Sequence, residues 1–329
     1  MRLTKLQKRL CNALQKGLPI CARPFAEIAK ELNTTEKEIL QQTQRLKRRG
    51  IIRRIGALVN YRALGMTSTL VAAHVPGGKL RGVTETVNSL ENVSHNYLRD
   101  HYYNLWFTLQ ARTTGQIDSI LSELSERFGI AFHSLPVNRT FKLEVYFDAE
   151  SGGQALLSVS RGRQGAGVPK DKVVKLRESE KLILSKLQDG LKVTAEPFAL
   201  LRTPGIVGEE VLRAITGLID KGAIHRIGAV VNHQKLGFIA NVLFVSEVPR
   251  SRVVSVGRDL ARLAIVSHCY ERKVFKGWPY NLFAMMHGRN MSHIQDVINE
   301  FTKAEGIKSF QLLPTAAELK KQPIKLHFY

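Results

Sequence analysis

One sixteen-residue segment occurs twice in this chain of 329 residues. Residues 50–65 (GIIRRIGALVNYRALG) and residues 222–237 (GAIHRIGAVVNHQKLG) are identical at ten of sixteen positions, at a constant offset of 172. A second pair follows, SHNYLRDHYYNLWF at 94–107 and SHCYERKVFKGWPYNLF at 267–283. Because solenoid repeats are far shorter than this spacing, the chain is predicted to be a duplicated domain of about 150 residues.

Composition indicates a folded protein of two domains. Hydrophobic residues make up 44% of the chain and charged residues 23%, which is typical of globular proteins. No stretch approaches the roughly 18 apolar residues of a membrane span and no leader is evident, so we expect a cytoplasmic protein without a membrane partner. The three cysteines, Cys11, Cys21 and Cys269, lie far apart, which predicts neither a disulfide framework nor a zinc cluster.

The chain is strongly basic. Its 49 Lys and Arg residues against 28 Asp and Glu residues give a net charge of +21. A field of this size attracts polyanions. The partner is therefore expected to be a nucleic acid, an anionic membrane or a small molecule with several carboxylates.

Each half is predicted to contain three helices and a two-stranded wing, followed by a ferredoxin-like βαββαβ unit, which makes the fold class α+β. The wing is assigned to IIRRIGALVN at 51–60, and the last strands of the two copies to 141–147 and 307–313. The predicted domains are a winged helix-turn-helix at 1–60, a ferredoxin-like domain at 61–150, a linker at 151–175, a degenerate winged helix-turn-helix at 176–232 and a second ferredoxin-like domain at 233–329.

This order of elements resembles the AsnC and leucine-responsive transcription factors, which implies DNA binding as one hypothesis. The third helix of the first half carries five basic residues against two glutamates. Its counterpart at 208–222 has Glu209 and Glu210 at the end that would meet the phosphates. Since a symmetric reader needs two equal recognition helices, DNA is not expected to be a partner. A regulator, with or without haem as its effector, stays as the alternative function.

Two equivalent strands suggest a catalytic site instead. Alternate residues of a strand share a face, so His95, Tyr97 and Arg99 project together, and the second copy repeats the pattern with His268, Tyr270 and Arg272. An imidazole titrates near neutral pH and a guanidinium binds carboxylates in a bidentate manner. Further positive donors are expected just past the turn and in the two wings, namely His101, Arg53, Arg54, His225 and Arg226.

The segments HNYLRDHYYNLWFTL and CYERKVFKGWPYNLFAMMHGR are similar to those of the paired subunits of siroheme decarboxylases, a family of AsnC-type fold in haem d1 and siroheme-dependent haem synthesis. The resemblance implies removal of carbon dioxide from two acetate side chains of siroheme, giving 12,18-didecarboxysiroheme. It also implies no cofactor beyond the iron tetrapyrrole substrate. The eight carboxylates of siroheme agree with the basic charge of the chain.

The resemblance and the strand pattern together suggest roles for the residues. His95 and His101 are assigned as a proton-donating or carboxylate-orienting pair, and either could contact the substrate iron axially. Arg99, with Arg53 and Arg54, is assigned as a carboxylate clamp, and Tyr97 as a hydrogen-bond partner. The protein itself is expected to hold no metal. The remaining predicted substrate-binding residues are His225, Arg226, His268, Tyr270, Arg272, Tyr103 and Trp106.

The two copies differ at the turn. The second copy has Lys273 and Val274 where the first has Asp100 and His101, and it has four more residues before its Tyr-Asn-Leu. We therefore expect one competent site, walled mainly by the first copy, with the second triplet vestigial or holding substrate. The sequence leaves open the order of the two decarboxylations and whether the chain forms a homodimer or pairs its own two halves.

Overall fold

The computed structural model describes residues 3–143, 146–150, 173–203, 205–326 and 328. Most of the predicted linker, residues 151–172, lies outside the described residues. The chain forms two compact units, and each of them combines parts of both halves. The helix-turn-helix unit comprises 1–65, 146–237 and 325–329, and the sheet unit comprises 66–145 and 238–324. The two units therefore do not correspond to the two halves of the sequence.

The first copy contains three helices, a single strand and the predicted βαββαβ unit. Its elements are α1 (Lys5–Lys16), α2 (Pro24–Leu32), α3 (Glu36–Arg48), β1 (Ile52–Val59), β2 (Thr67–Ala73), α4 (Gly77–Ser89), β3 (Val93–Arg99), β4 (Leu105–Ala111), α5 (Thr114–Phe128) and β5 (Phe132–Leu143).

The second copy repeats this order, which confirms the α+β class and the duplication. Its elements are α6 (Glu178–Gln188), a 3-10 helix (Phe198–Leu201), α7 (Glu209–Asp220), β6 (Ile224–Val231), a 3-10 helix (Gln234–Leu236), β7 (Ala240–Ser246), α8 (Val253–Arg262), β8 (Val266–Arg272), β9 (Leu282–Gly288), α9 (Met291–Ala304) and β10 (Phe310–Lys321). This copy is degenerate at one position: where the first copy has α2, it has only the 3-10 helix Phe198–Leu201.

Polar caps determine where the first helices begin and end. Thr4 accepts a hydrogen bond from the backbone N–H of Gln7, whose side chain accepts in return from the N–H of Thr4. This is a capping box, which satisfies two otherwise unpaired donors. Asn33 ends α2 with a left-handed φ of 54°, and the Thr35 hydroxyl caps α3.

The predicted two-stranded wing is wrong. The segment forms one strand, β1, which pairs antiparallel with β6 of the other copy. Gly56 lies directly opposite Gly228 in this pairing, and neither glycine makes a turn. A Cβ on Gly228 would lie 2.8 Å from the carbonyl oxygen of Leu14, and one on Gly56 would lie 3.2 Å from that of Leu187. Glycine is required because the end of a helix from the other copy touches the strand backbone.

The sheet unit contains a closed eight-stranded sheet with the order β10-β3-β4-β2-β5-β8-β9-β7. β5 pairs with β2 of its own copy as far as Pro136 and with β8 of the other copy from Val137 onward. β10 pairs with β7 as far as Pro314 and with β3 from Thr315 onward. The two halves of the chain thus pair with each other pseudo-symmetrically, one of the two arrangements that the sequence left open.

The predicted bounds of both last strands are wrong. β5 begins nine residues before the predicted 141–147, and β10 continues eight residues beyond the predicted 307–313. The distal part of β5 is polar and largely exposed at Arg139 and Thr140. It lacks the apolar alternation of a half-buried strand, so the local sequence pattern does not reveal it.

Three apolar clusters stabilise the sheet unit. Two lie under the helices, around Phe107 in the first copy and Phe244 in the second. The third lies on the opposite face of the sheet and joins the copies through Trp106, Trp278 and Phe283. Each large apolar side chain buried in this way contributes about 1.5–3 kcal/mol. No helix within the described parts of the chain has both the length and the apolar character to cross a membrane.

The helix-turn-helix unit contains a buried carboxylate. Glu180 is 0% exposed and accepts hydrogen bonds from Lys221 Nζ at 2.6 Å and from the backbone and side chain of Arg177 at 2.7 and 3.1 Å. Burial alone would raise the pKa of this carboxyl, but the donors from Lys221 and Arg177 lower it below its ordinary value. The ionised form therefore stabilises the folded state.

We predict that Glu180→Gln lowers the free energy of unfolding at pH 7 by about 1.5–3 kcal/mol, since the charged donors lose their acceptor. A lowered folded-state pKa stabilises above the unfolded pKa and loses this effect as pH falls through the folded value. The difference between wild type and variant should therefore shrink only below about pH 4, near the unfolded pKa. Urea unfolding between pH 7 and 3.5 measures it.

Glu178→Gln is the matched control, because that carboxylate is 67% exposed and its ion pair with Lys181 lies at the surface. It should change stability by less than about 0.5 kcal/mol. Equal losses for the two variants would contradict the role of Glu180.

Candidate active site

The two His-Tyr-Arg triplets each share one face of a strand, as predicted. On β3 the rings of His95 and Tyr97 lie 6.2 Å apart, and the guanidinium of Arg99 lies 5.6 Å from the Tyr97 ring. On β8 the ring distance between His268 and Tyr270 is also 6.2 Å. Both triplets face the interior of the closed sheet, away from the helices. We call this polar surface the interior wall.

The arginines of the interior wall bind the backbone where the long strands change partners. Arg99 Nη1 donates to the Leu313 carbonyl at 2.7 Å, and Arg272 Nη1 donates to the Leu135 carbonyl at 2.7 Å. Each leucine immediately precedes the proline at which its strand leaves one copy for the other. Arg99 on β3 therefore stabilises the crossover of β10, and Arg272 on β8 stabilises the crossover of β5.

This use of Arg99 differs from the predicted carboxylate clamp. Its second contact from Nη1 is Thr315 Oγ1 at 3.1 Å, and its Nη2 lies 3.9 Å from the Met285 sulfur. Burial lowers the pKa of both Arg99 and Arg272 to about 10, so both remain charged at neutral pH. Their Nε–H groups have no hydrogen-bond partner in the described part of the chain. Nη1 of each guanidinium is already occupied, whereas its Nε–H is not, so the role of Arg99 as a carboxylate clamp stays a prediction.

His95 and His268 are neighbours in the interior wall. Burial lowers the pKa of the His268 imidazole to about 4. The positive charges of neighbouring side chains act in the same direction, and these belong to His95, Arg272, Lys321 and Lys142. The two copies thus place their histidines close enough to interact electrostatically. At neutral pH His268 is uncharged.

The buried serine before each histidine orients its ring. Ser94 Oγ lies 2.9 Å from His95 Nδ1, and Ser267 Oγ lies 2.8 Å from His268 Nδ1. The Ser267 hydroxyl also donates to the Met285 carbonyl at 3.1 Å. Because a hydroxyl has only one proton, Ser267 must accept from Nδ1–H of His268. His268 Nε2 then has a free lone pair, which can accept a hydrogen bond or bind a metal.

His101 lies elsewhere, in the loop after β3. Arg99 is already about 13 Å from His95 along the strand, and His101 lies beyond it. Because the extended strand separates the two residues, His95 and His101 would act at different points of a substrate, and their roles stay predictions. His101 Nδ1 accepts a hydrogen bond from the Tyr103 backbone N–H at 3.0 Å, so the neutral ring has its proton on Nε2. That tautomer donates a hydrogen bond and does not suit the axial iron contact suggested for His101.

Aromatic side chains surround the His101 loop. Tyr103 packs edge-to-face on Trp278 at 5.5 Å and on Phe275 at 5.4 Å. Burial, with a smaller contribution from Tyr102, raises the pKa of Tyr103. Trp106 is 1% exposed and its indole N–H donates to the Tyr103 carbonyl at 2.6 Å. Trp106 thus packs in the core behind the loop. The predicted contact between Trp106 and substrate would require the indole to become exposed, and it stays a prediction.

The four predicted donors of the wings belong to the helix-turn-helix unit. Arg226 Nε donates to the Gln15 carbonyl at 2.8 Å, at the end of α1. Burial lowers the pKa of Arg54, whose guanidinium lies over Gly56. Arg53 is half-buried and His225 is exposed. Within their own unit these side chains lie along β1 and β6, and their substrate-binding roles stay predictions.

Sequence reasoning missed several residues of the interior wall. Lys321 pairs in register with His95 and forms an ion pair with Glu318 at 3.3 Å. Pro136 and Pro314 mark the two crossovers. The repeated Leu-Pro in SLPVN and LLPTA was a signal for these crossovers, but it becomes meaningful only once the strand pairing is known. Among the described residues, no group of three or more His, Cys, Asp or Glu side chains could hold a metal ion.

Comparisons with known proteins agree with this architecture. The family model described as an AsnC-like ligand binding domain matches residues 63–142 and 235–320. The model described as a siroheme decarboxylase NirDL-like HTH domain matches residues 7–53. The βαββαβ regions of both copies thus match one family model, and the first helix-turn-helix region matches a more specialised model.

Relatives of the whole chain are also known. A siroheme decarboxylase of Hydrogenobacter thermophilus is 32% identical over 320 residues, which cover 96% of this chain and 93% of that protein. A siroheme decarboxylase alpha subunit of Desulfovibrio desulfuricans is 38% identical over 145 residues, covering 44% of this chain and 84% of that protein. The crystal structure of the siroheme decarboxylase NirDL in complex with an iron-uroporphyrin III analogue matches with a TM-score of 0.71 and 30% identity, covering 98% of this chain and 94% of that one. The chain belongs to the siroheme decarboxylase family.

Proposed function

We propose that this protein is a carbon–carbon lyase that decarboxylates the two acetate side chains of siroheme to give 12,18-didecarboxysiroheme, in haem d1 or siroheme-dependent haem synthesis. The observation that supports it best is the interior wall, where both His-Tyr-Arg triplets face the inside of one closed sheet. Membership of the siroheme decarboxylase family agrees with this substrate.

The charge of the interior wall suits a polycarboxylate. Arg99 is a buried cation and Arg272 a half-buried one, and each has a buried Nε–H that no described residue uses. Among the described residues, the hydrogen bonds of these two cations go to backbone carbonyls, a hydroxyl and a sulfur, and none goes to a carboxylate. A carboxylate of the substrate would supply the missing negative charge and accept a charge-assisted hydrogen bond.

The reaction requires positioning and a proton. The bond between the acetate methylene and its carboxyl carbon breaks, carbon dioxide leaves, and the electron pair is delocalised into the macrocycle. The methylene then takes a proton and becomes a methyl group, so no oxidant is needed. We propose that the iron tetrapyrrole substrate is the sole cofactor-like group and that the protein contributes orientation and proton transfer.

The tautomers of the histidines suggest how the roles divide. His101 presents Nε2–H and is proposed as a proton donor. His268 is neutral and presents a lone pair on Nε2, so it is proposed to hold the substrate as an acceptor or iron ligand. His95 is proposed to transfer protons at the other end of β3, with Tyr97 as its hydrogen-bonding neighbour. This division retains a single site walled mainly by the first copy.

The first test is turnover. Purified protein incubated anaerobically with siroheme should give product with two successive losses of carbon dioxide and without any added cofactor. Mass spectrometry of the extracted tetrapyrrole measures it. Unchanged substrate mass with siroheme demonstrably bound would refute the proposed function.

The second test separates proton transfer from substrate holding. His95→Ala and His101→Ala should each lower turnover by about 100-fold, the usual contribution of general acid–base catalysis, with little change in siroheme affinity. His268→Ala should cost much less turnover. Steady-state rates and absorbance titrations measure both quantities.

The exposed His293 on α9 provides the control, since His293→Ala should leave rate and affinity unchanged. If His95→Ala and His268→Ala lose turnover equally, both copies take part in the chemistry and the single-site assignment is incorrect.

The third test concerns DNA. α7 has Glu209 and Glu210 in its first turn, and these oppose phosphate, so we predict weak binding that salt abolishes and that shows no sequence preference. Fluorescence anisotropy with random and operator-like duplexes between 50 and about 200 mM salt measures it. A variant with Glu209→Gln and Glu210→Gln should bind more tightly. Sequence-specific binding at nanomolar concentration and physiological salt would favour the regulator hypothesis.

A further inference from the structure

The loop after β8 contains an insertion that the first copy lacks. Seven residues separate Arg272 from Tyr280, whereas three separate Arg99 from Tyr103. Val274 occupies the position of His101 and is 50% exposed. The second copy therefore has no histidine here and has four additional residues instead. Their function is not explained by the duplication.

The inserted residues form a tight turn that presents two aromatic rings. The backbone N–H of Trp278 donates to the Phe275 carbonyl at 3.0 Å, and the two residues form a β-bridge. Gly277 has a φ of +86° inside this turn, a conformation that favours glycine. The rings of Phe275 and Trp278 are stacked 6.0 Å apart. We call this turn the aromatic clip.

The aromatic clip packs on the histidine loop of the first copy. Trp278 is 3% exposed and meets His101 edge-to-face at 5.7 Å. It also contacts Tyr103 at 5.5 Å. Phe275 stacks on His133 at 4.0 Å, which places the clip between the loop and the start of β5. The second copy thus covers the loop from which the first copy presents His101.

Tyr103 connects the clip to the orientation of the imidazole. Its backbone N–H donates to His101 Nδ1, and its carbonyl accepts from the Trp106 indole. Its ring packs against the clip, and both polar groups of its backbone have defined partners. A displacement of Tyr103 would free His101 Nδ1 and allow the other tautomer. The clip therefore acts on His101 through direct ring packing and through Tyr103.

We infer that the aromatic clip is a positioning element for His101, with Trp278 as its principal residue, so that the single site is assembled from a histidine of one copy and an insertion of the other. This inference rests on the proposed function for its catalytic consequence. Trp278 does not itself transfer protons; it keeps Nε2–H of His101 directed toward the substrate. This role explains why only the second copy has the insertion: only the loop of the first copy carries a histidine that must be positioned.

The test combines ring spectroscopy with kinetics. In protein labelled with ¹⁵N-histidine, His101 is identified by the signals that disappear in His101→Gln. Wild type should show a protonated Nε2 and an unprotonated Nδ1. Trp278→Ala should show signals averaged between the two tautomers, and its kcat should fall by about 100-fold, as expected for a misplaced catalytic group. KM should change by less than about threefold, because substrate binding rests mainly on the charged groups.

Two further variants keep the inference falsifiable. Trp278→Phe preserves an aromatic ring at this position and should retain the wild-type tautomer and kcat within about fivefold. Phe301→Leu removes a buried ring from the helix-covered core of the second copy, away from the clip. It should leave the His101 signals unchanged whatever it does to the melting temperature.

Trp278→Ala with wild-type signals and wild-type kcat would overturn the inference, and so would an equal change in Phe301→Leu. If the wild-type protein does not decarboxylate siroheme, the proposed function fails, and the tautomer comparison alone then decides whether the clip positions His101.

Discussion

The exchange of strands between the two copies determines the rest of the sheet unit. β5 and β10 each begin beside a strand of their own copy and end beside a strand of the other. An unpaired strand edge would leave backbone donors and acceptors without partners, and the exchange removes such edges by closing the sheet. The same pairing places both His-Tyr-Arg triplets on one interior wall. The polar chemistry of the protein therefore depends on backbone pairing.

The two crossover arginines have two roles in this arrangement. Arg99 and Arg272 hold the carbonyls that precede Pro314 and Pro136, so each cation stabilises a crossover and still contributes positive charge to the wall. A buried cation without an anion is costly unless its donors are satisfied. Backbone carbonyls satisfy part of each fork, and the residual charge remains for a negatively charged substrate. Burial, reinforced by neighbouring positive charges, lowers the pKa of His268 and keeps it neutral at physiological pH.

The duplication has become asymmetric in its loops more than in its strands. The triplets, the serines beside the histidines and the crossover arginines occur in both copies with nearly the same distances. In contrast, His101 occurs only in the first copy and the aromatic clip only in the second. Since the strand exchange brings these two loops together, each copy can lose or gain loop residues without disturbing the shared sheet. A composite site is then a natural outcome of a fused duplication.

The sequence by itself determined the duplication, the α+β order of elements and the shared faces of His95, Tyr97 and Arg99. These depend on local periodicity and on repeats within the chain, which are visible without coordinates. The tertiary structure decided which strands pair, and with that it decided that β1 pairs with β6, that His95 lies near His268 while His101 lies at the other end of β3, and that Arg99 binds a crossover. Local pattern cannot specify these contacts, because a strand edge offers the same backbone donors and acceptors to either copy.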